Sequence, residues 1–253
     1  MILYFSGTGN SLFLAKQLAE QLNDTLLHIE DIKGTGTKIH DKHMGIVCPV
    51  YFGDIPEPVR DFLENSYFDR TSYIFSVVTC GGSAGQALRS IKKILQRKKC
   101  HLSYGKVLRM PSNSTVAFRS AVSYKLHYLA ESAAAIHDIA GEIRSEKIDT
   151  SACSWSLMGS VFSIGPVSSW SEKLFTVTVD PAKCNGCGIC AQLCPQNNIT
   201  LDDSGTYIGT NCSHCMACVH WCPAAAIKVR GRSVAQADQY HHPDISLQDM
   251  LRR

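Results

Sequence analysis

The sequence predicts an α/β fold with a doubly wound parallel sheet, followed by a small cysteine-rich domain. Continuous apolar runs at 2–5, 45–50 and 73–80 are typical of strands that are buried on both faces of a parallel sheet. Apolar residues at helical spacing follow the first run, as expected for a strand–loop–helix unit. Eight of the twelve cysteines lie between Cys184 and Cys222, which sets the last part of the chain apart.

Length and composition exclude several classes of protein. With 253 residues, the chain exceeds a usual single domain of roughly 100–150 residues, so one large or two unequal domains are expected. A net charge of +3 does not indicate nucleic-acid binding, and no apolar run approaches the roughly 18 residues of a membrane span. The start, M-I-L-Y-F-S-G, lacks the features of a signal peptide. We therefore expect a cytoplasmic protein without nucleic-acid or membrane partners, whose cysteines serve metal or redox chemistry.

The first apolar run, Ile2 to Phe5, ends in the loop S-G-T-G-N-S. Such a loop directs backbone N–H groups, hydroxyls and the positive end of a helix dipole towards one point, where an anion binds favourably. It lacks the lysine of a triphosphate loop and does not follow G-x-G-x-x-G, so a monophosphate suits it better. The helix that follows is indicated by Leu12, Ala15, Leu18, Ala19 and Leu22.

The other two apolar runs also end in loops of small or aromatic residues. Residues 45–50 continue into Tyr51, Phe52 and Gly53, and residues 73–80 continue into a glycine-rich loop that reaches Gln86. In a doubly wound sheet, ligands bind outside the carboxyl ends of the strands, where the strand order reverses. The three loops are therefore predicted to form one site. The last helix of this domain is expected within 121–144.

The S-x-T-G-x-S pattern of Ser6–Ser11 resembles the FMN phosphate loop of flavodoxins, and the resemblance extends over roughly residues 1–150. It implies that this loop binds the phosphate and that Tyr51 or Phe52 packs against the isoalloxazine. It also implies that Gly53 moves to hydrogen-bond the reduced ring, and that the Thr79–Gln86 loop meets the pyrimidine edge. Simple burial of either aromatic residue, and ordinary turn geometry at the glycines, are the alternatives. The candidate FMN-binding residues are Ser6, Gly7, Thr8, Gly9, Asn10, Ser11, Pro49, Val50, Tyr51, Phe52, Gly53, Thr79, Cys80, Gly81, Gly82, Gly85 and Gln86.

The cysteine-rich segment repeats itself. C-N-G-C-G-I-C-A-Q-L-C-P is echoed by C-S-H-C-M-A-C-V-H-W-C-P, and both copies follow C-x2-C-x2-C-x3-C-P. Three thiolates two residues apart can surround one face of an iron–sulfur cubane, because the backbone amides of so tight a loop turn towards the sulfide. Structural zinc is the alternative, but zinc sites commonly use two C-x2-C pairs and do not need a third cysteine.

About sixty residues from Thr176 onwards resemble a bacterial two-cluster ferredoxin, which implies a small α+β fold with two [4Fe–4S] clusters. In these proteins the fourth cysteine of each motif reaches the neighbouring cluster. The sequence departs from the plainest ferredoxin pattern in having His214, His220 and Trp221 among the ligands of the second motif. We expect these side chains to fill space and to hydrogen-bond cluster sulfur rather than to bind iron, since four thiolates are already available. By this pattern one cluster is held by Cys184, Cys187, Cys190 and Cys222, and the other by Cys212, Cys215, Cys218 and Cys194.

These predictions divide the chain into a flavodoxin-like FMN-binding domain (1–150), a linker (151–175), a two-cluster ferredoxin domain (176–232) and a polar tail (233–253). A basic run on the helix after the third strand is either a solvated face or a docking surface for an acidic redox partner. The oligomeric state stays open, with a dimer as one option. The basic residues are Lys92, Lys93, Arg97, Lys98 and Lys99.

The whole chain resembles a fusion of a flavodoxin-like domain with a bacterial-type ferredoxin, which implies electron transfer between two [4Fe–4S] clusters, FMN and a redox protein partner. An electron carrier is the leading hypothesis, and no catalytic side chain is needed for it. The alternatives are a flavin-dependent reductase of a small molecule that is fed through the clusters, and a redox-responsive binding protein. No segment of Rossmann size remains for a nicotinamide cofactor, which favours a carrier over a self-sufficient oxidoreductase.

Anaerobic purification is expected to yield about eight iron atoms and about one FMN per chain, since two four-iron clusters and one phosphate loop are predicted. Iron, sulfide and flavin analysis on one sample, followed by a reductive titration, measures this. Zinc in place of iron would contradict the prediction for the cysteine-rich domain.

Overall fold

The computed structural model describes residues 1–32, 34, 36–118, 124–154 and 173–251. The first domain alternates strands with helices, as the sequence predicts, because apolar runs bounded by turn residues are separated by amphipathic segments. In chain order its elements are β1 (Ile2–Tyr4), α1 (Asn10–Leu22), β2 (Leu26–His28), α2 (Ile29–Ile32), β3 (Lys38–Ile39), β4 (His43–Pro49), α3 (Glu57–Asn65), β5 (Tyr67–Phe68), β6 (Tyr73–Cys80), α4 (Ala87–Arg97), β7 (Leu102–Arg109) and α5 (His127–Arg144).

Five of these strands form a parallel sheet in the order β2-β1-β4-β6-β7. This is the strand order of a flavodoxin-like doubly wound sheet, and the order reverses between β1 and β4. The three predicted strands are therefore present, and the second begins two residues earlier than expected, at His43. Because the strands are parallel, the loops that follow β1, β4 and β6 meet at one edge of the sheet. A separate parallel pair joins β3 to β5.

Helices cover the sheet on both faces, since right-handed crossovers in opposite directions from the reversal point place them on opposite sides. Helix α1 packs against α5, and α3 packs against α4. Each helix buries an apolar stripe, as α4 does with Leu88, Ile91 and Leu95. Within the described residues, no helix combines the length and the apolar character needed to cross a membrane.

The cysteine-rich domain is built from short elements around its loops. An antiparallel sheet has the order β12 (Arg232–Ser233), β11 (Ile227–Val229) and β8 (Val177–Val179). Strands β9 (Ile199–Asp202) and β10 (Gly205–Ile208) pair in a hairpin. Residues 155–172, most of the predicted linker, lie outside the described residues. The elements are β8 (Val177–Val179), α6 (Ile189–Gln192), β9 (Ile199–Asp202), β10 (Gly205–Ile208), α7 (Ala217–His220), β11 (Ile227–Val229), β12 (Arg232–Ser233) and, in the tail, α8 (Leu247–Leu251).

The two domains share their apolar cores. Cys215, Trp221 and Ile245 pack into the core of the sheet domain. In the other direction, Val116 and Ala117 from the sheet domain pack into the core of the cysteine-rich domain. Burial of apolar area on both sides holds the domains together, at roughly 25 cal/mol for each Å² removed from water.

Gly45 lies on the central strand β4, next to Phe75 of β6. Because Gly45 has no side chain, the Phe75 ring occupies the space that a Cβ atom at position 45 would need. Gly45→Ala is expected to lower the free energy of unfolding by about 1–3 kcal/mol, because the buried ring has to shift. Gly141→Ala, on the exposed face of α5 with open space around it, serves as the control and is expected to raise stability by up to about 1 kcal/mol. Urea unfolding of both variants measures the difference, and equal effects would refute the packing argument.

Candidate functional site

The loop after β1 is tightly folded at the start of α1. Ser6 Oγ accepts the N–H of Gly9 at 3.1 Å, and Ser11 Oγ lies 2.8 Å from Thr79 Oγ1. Gly9 adopts φ 95°, a conformation that glycine supplies without strain, and its carbonyl accepts the first helical bond from Phe13. The first N–H groups of a helix have no acceptor within the helix, so this turn provides donors for an anion.

A cavity opens beside this loop at the carboxyl edge of the sheet. Its volume is about 40 Å³, and it is open to solvent. The buried hydroxyl of Tyr51 reaches it without a hydrogen-bond partner in the described part of the chain. Burial raises the pKa of Tyr51 well above its ordinary value, with the Cys215 and Cys48 thiolates adding to the effect, so the hydroxyl keeps its proton. The lining comprises Ser6, Gly7, Thr8, Asn10, Ser11, Pro49, Val50, Tyr51, Thr79, Cys80, Gly81, Met110, Pro111, Ser112 and Asn113.

The remaining candidate residues lie near this cavity without lining it. Gly53 accepts the Gln86 N–H at 2.6 Å, and Gly85 packs on the Gly53 backbone, so the loops after β4 and β6 are joined. Phe52, at φ 50°, packs edge-on against Phe175. Of the two predicted aromatic residues, Tyr51 therefore lines the cavity, whereas Phe52 contacts the other domain. The predicted FMN-binding residues that do not line the cavity are Gly9, Phe52, Gly53, Gly82, Gly85 and Gln86.

The segment Met110–Asn113, after β7, supplies lining residues that are absent from the predicted set. The Pro111 carbonyl accepts from Asn10 Nδ2 at 2.8 Å, which ties this segment to the phosphate loop. Its position follows from the sheet, since β7 is the fifth parallel strand whose carboxyl end lies at this edge.

Cysteines of the two motifs lie close enough to influence one another. Burial raises the pKa of Cys190, with Cys222 of the second motif adding to the rise beside Cys187 and Cys184. Burial likewise raises the pKa of Cys215 to about 11, with contributions from Cys212 and from Cys194 of the first motif. Burial also raises the pKa of Cys218, and both Cys194 and Cys190 of the first motif contribute. No three His, Cys, Asp or Glu side chains in the described ranges converge on a point that one metal ion would fill.

Backbone conformation repeats from one motif to the other. Three positions 28 residues apart have positive φ in both copies: Gly186 and His214 at 69° and 56°, Gly188 and Met216 at 72° and 59°, and Asn197 and Ala225 at 48° and 47°. In each motif, the sulfur of the last cysteine accepts a hydrogen bond from the backbone N–H four residues later. Asn198 donates to Cys194 and Ala226 donates to Cys222, both at 3.3 Å. The two loops therefore have the same fold, and N–H groups point at sulfur as a thiolate cluster requires.

Comparison with known proteins agrees with this geometry. Residues 177–200 match the family profile of the 4Fe-4S binding domain. Over 59 residues, the chain is 36% identical to an uncharacterized ferredoxin of Methanocaldococcus jannaschii, and this match spans 21% of this chain and 77% of the relative. The cysteine-rich part of the chain belongs to the ferredoxin family. The ferredoxin domain thus carries a 4Fe-4S binding motif.

Two solved structures resemble the chain more distantly. A protein from Bacteroides uniformis that is assigned as a flavoprotein has a TM-score of 0.36 at 18% identity, and the match covers 43% of this chain and 88% of that one. An FMN-dependent NADH-azoreductase from Bacillus anthracis, in complex with FMN, has a TM-score of 0.40 at 12% identity. This match covers 56% of this chain and 97% of the azoreductase chain.

The ferredoxin domain packs directly on the phosphate loop. A Cβ atom on Gly7 would lie 2.6 Å from the Cys215 carbonyl and 2.8 Å from the Tyr51 hydroxyl, so no other residue fits there without movement. The expectation that His220 and Trp221 hydrogen-bond cluster sulfur was wrong. Trp221 Nε1 donates to the Gly7 carbonyl at 3.2 Å, and His220 Nε2 bonds the Asn113 carbonyl at 2.8 Å, because both side chains face the sheet domain. The backbone N–H of His214 does point at a cysteine, Cys212, at 3.4 Å.

The tail, whose structure no sequence pattern predicts, lies along α1. The His242 N–H donates to the Thr8 carbonyl at 2.9 Å, and the His242 ring stacks on Phe13 at 4.0 Å between centroids. Lys16 Nζ bonds the Asp249 carboxylate at 2.5 Å, and Asp249 also accepts from Ser246 at the start of α8. The tail therefore fastens the ferredoxin domain to the phosphate-loop helix.

Asp249→Asn is expected to lower the free energy of unfolding by roughly 1 kcal/mol at neutral pH, since a half-exposed ion pair and a helix cap weaken together. The bonds from Lys16 and Ser246 hold the pKa of Asp249 below its ordinary value, so its stabilisation is present above about pH 4 and is lost as pH falls further. The difference from wild type should therefore shrink in acid. Urea unfolding at several pH values measures it, with exposed Asp203→Asn on the β9–β10 turn as control; a gap that widens in acid would contradict the assignment.

Proposed function

We propose that the chain is an electron-transfer iron–sulfur flavoprotein with two [4Fe–4S] clusters and one FMN, which exchanges electrons with a separate redox protein. The observation that carries this proposal is the contact between the second cysteine loop and the phosphate-loop cavity. Cys215 lies in the core of the sheet domain, and its carbonyl and the Tyr51 hydroxyl both lie close to Gly7. A cluster-binding loop thereby reaches the position where a flavin-binding fold holds its ligand.

The cysteine groups fit a pair of four-iron clusters. Backbone N–H groups are directed at Cys194 and Cys222, and each of these cysteines influences thiols of the other motif, which supports the ligand pattern of two-cluster ferredoxins. Cys184, Cys187, Cys190 and Cys222 would hold the first cluster. Cys212, Cys215, Cys218 and Cys194 would hold the second.

The cavity offers the donors that the phosphate of FMN needs. The phosphate-loop turn supplies N–H groups at a helix start, and the buried Tyr51 hydroxyl supplies a polar group that lacks a partner among the described residues. The cavity volume of about 40 Å³ is far below the roughly 300–1,000 Å³ of a typical ligand site, so the cavity would take the phosphate, and the isoalloxazine would lie where it opens to solvent. Ser6–Ser11 would hold the phosphate, and Tyr51 and Thr79–Gly81 would border the ring.

The residues of the chain position these groups and exclude water between them. When bound, the clusters supply single-electron chemistry and FMN supplies one- or two-electron chemistry. Trp221 and Cys215 close the junction on the side of the phosphate loop, whereas Cys187 of the first group is exposed. The first group therefore faces the side from which a partner can approach, and the second group faces the flavin site.

Rapid mixing tests this proposal. Anaerobic protein that contains both cofactors is mixed with a reduced ferredoxin, and the absorbance of clusters and flavin is followed. Flavin reduction that proceeds within one chain, at a rate independent of protein concentration, is the expected result. Flavin that stays oxidised while the clusters are reduced would refute the proposal. Steady-state turnover with quinones or nitro compounds would instead favour the reductase.

Paired cysteine variants test the predicted exchange of ligands. Cys187→Ser with Cys222→Ser damages only the first group and should leave about four iron atoms per chain, whereas Cys187→Ser with Cys194→Ser damages both groups and should leave about none. Each pair removes two thiols, so each is the control for the other. Iron analysis and EPR of the reduced proteins measure the outcome, and the opposite result would show that each motif binds its own cluster.

A further inference from the structure

A series of hydrogen bonds joins the Ser6–Ser11 phosphate loop, the loop of the second cysteine motif and the C-terminal tail. Asn113 Nδ2 donates to the Cys215 carbonyl at 3.1 Å and to Thr8 Oγ1 at 3.4 Å. The Asn113 carbonyl accepts from His220 Nε2 at 2.8 Å, and His220 Nδ1 accepts the Tyr240 N–H at 2.9 Å. Tyr240 Oη then donates to Asn10 Oδ1 at 2.7 Å. The path leaves the phosphate loop at Thr8 and returns to it at Asn10.

Most members of this network are buried, so each has to find its partner inside the protein. Thr8, Asn10, His220 and Tyr240 are all less than 9% exposed. His220 Nδ1 accepts the Tyr240 N–H, so the proton of the ring lies on Nε2, which donates to the Asn113 carbonyl. A fully satisfied buried network favours one arrangement of its parts, because any other arrangement leaves polar groups unpaired.

Asn113 occupies a particular place in this network. Its side-chain amide hydrogen-bonds both the phosphate loop, at Thr8, and the second cysteine loop, at Cys215. Its backbone carbonyl accepts from His220, which lies between Cys218 and Cys222. It also lines the cavity. Neither Asn113 nor Tyr240 belongs to the candidate residues that the sequence indicates.

We propose that Asn113 is a positioning residue, which fixes the second cysteine loop against the phosphate loop and thereby sets the separation between the second cluster and the flavin. This inference rests on the proposed function. Asn113 transfers no electron itself. It holds two loops of different domains in a single register, so that the electron path is the same in every molecule.

Asn113→Ala, produced as full-length anaerobic protein, tests the proposal. Iron content should stay at the wild-type value, since Asn113 is not a cysteine ligand; excess FMN is supplied to both proteins so that flavin occupancy is equal, because Asn113 lines the cavity. Hydrogen exchange of the Thr8–Ser11 amides should become about tenfold faster, a change of about 1.4 kcal/mol. Flavin reduction after rapid mixing should become slower by about the same factor. Asn65→Ala removes one exposed side-chain bond on α3 and serves as the matched control, with no change expected.

The possible results separate the two proposals. Wild-type protein without flavin would refute the proposed function, and the hydrogen-exchange comparison would still decide whether Asn113 joins the loops. Faster exchange with an unchanged rate of flavin reduction would overturn the positioning role, as would no change in either measurement. If Asn113→Ala does not fold, Tyr240→Phe, which removes only the hydroxyl that bonds Asn10, should give the same pair of effects in weaker form; wild-type values in that variant would overturn the proposal.

Discussion

The close approach of the Cys215 carbonyl to Gly7 is the contact on which the arrangement of the two domains depends. A side chain at position 7 would collide with this carbonyl and with the Tyr51 hydroxyl. Because the glycine leaves that space free, the second cysteine loop reaches the carboxyl edge of the sheet, and Trp221 bonds the Gly7 carbonyl. The two domains are thereby joined at the edge where a doubly wound sheet binds its ligand.

At the junction between the domains, apolar packing provides stability and hydrogen bonds set the relative orientation. Shared cores provide the free energy that holds the domains together, since burial of apolar surface is the main favourable contribution and has no preferred direction. The hydrogen bonds of Asn113, His220 and Tyr240 add little net energy but allow one orientation only. The tail reinforces that orientation through the stacking of His242 on Phe13.

The two cysteine groups differ in their surroundings although their sequences and backbones repeat. Gly186 and Gly188 of the first motif correspond to His214 and Met216 of the second, and all four have positive φ. His214 lies edge-on to Phe52, and Met216 is buried in the core of the ferredoxin domain. We infer that the second motif accepts less favourable backbone conformations because its side chains pack against the sheet domain, whereas the first motif faces outwards and has glycines there.

Local patterns of two to twelve residues are enough to predict the strand–helix alternation, the turn after β1 and the paired cysteine motifs. Strand β6 was predicted to the residue, and the ferredoxin domain was evident from thiol spacing alone. Long-range packing is needed to learn that Met110–Asn113 line the cavity, that His220 and Trp221 bond the sheet domain, and that the tail lies on α1. These contacts join residues about 100 to 230 positions apart. Side chains such as Asn113 and Tyr240 have no local signature, since their partners are defined by how the domains pack.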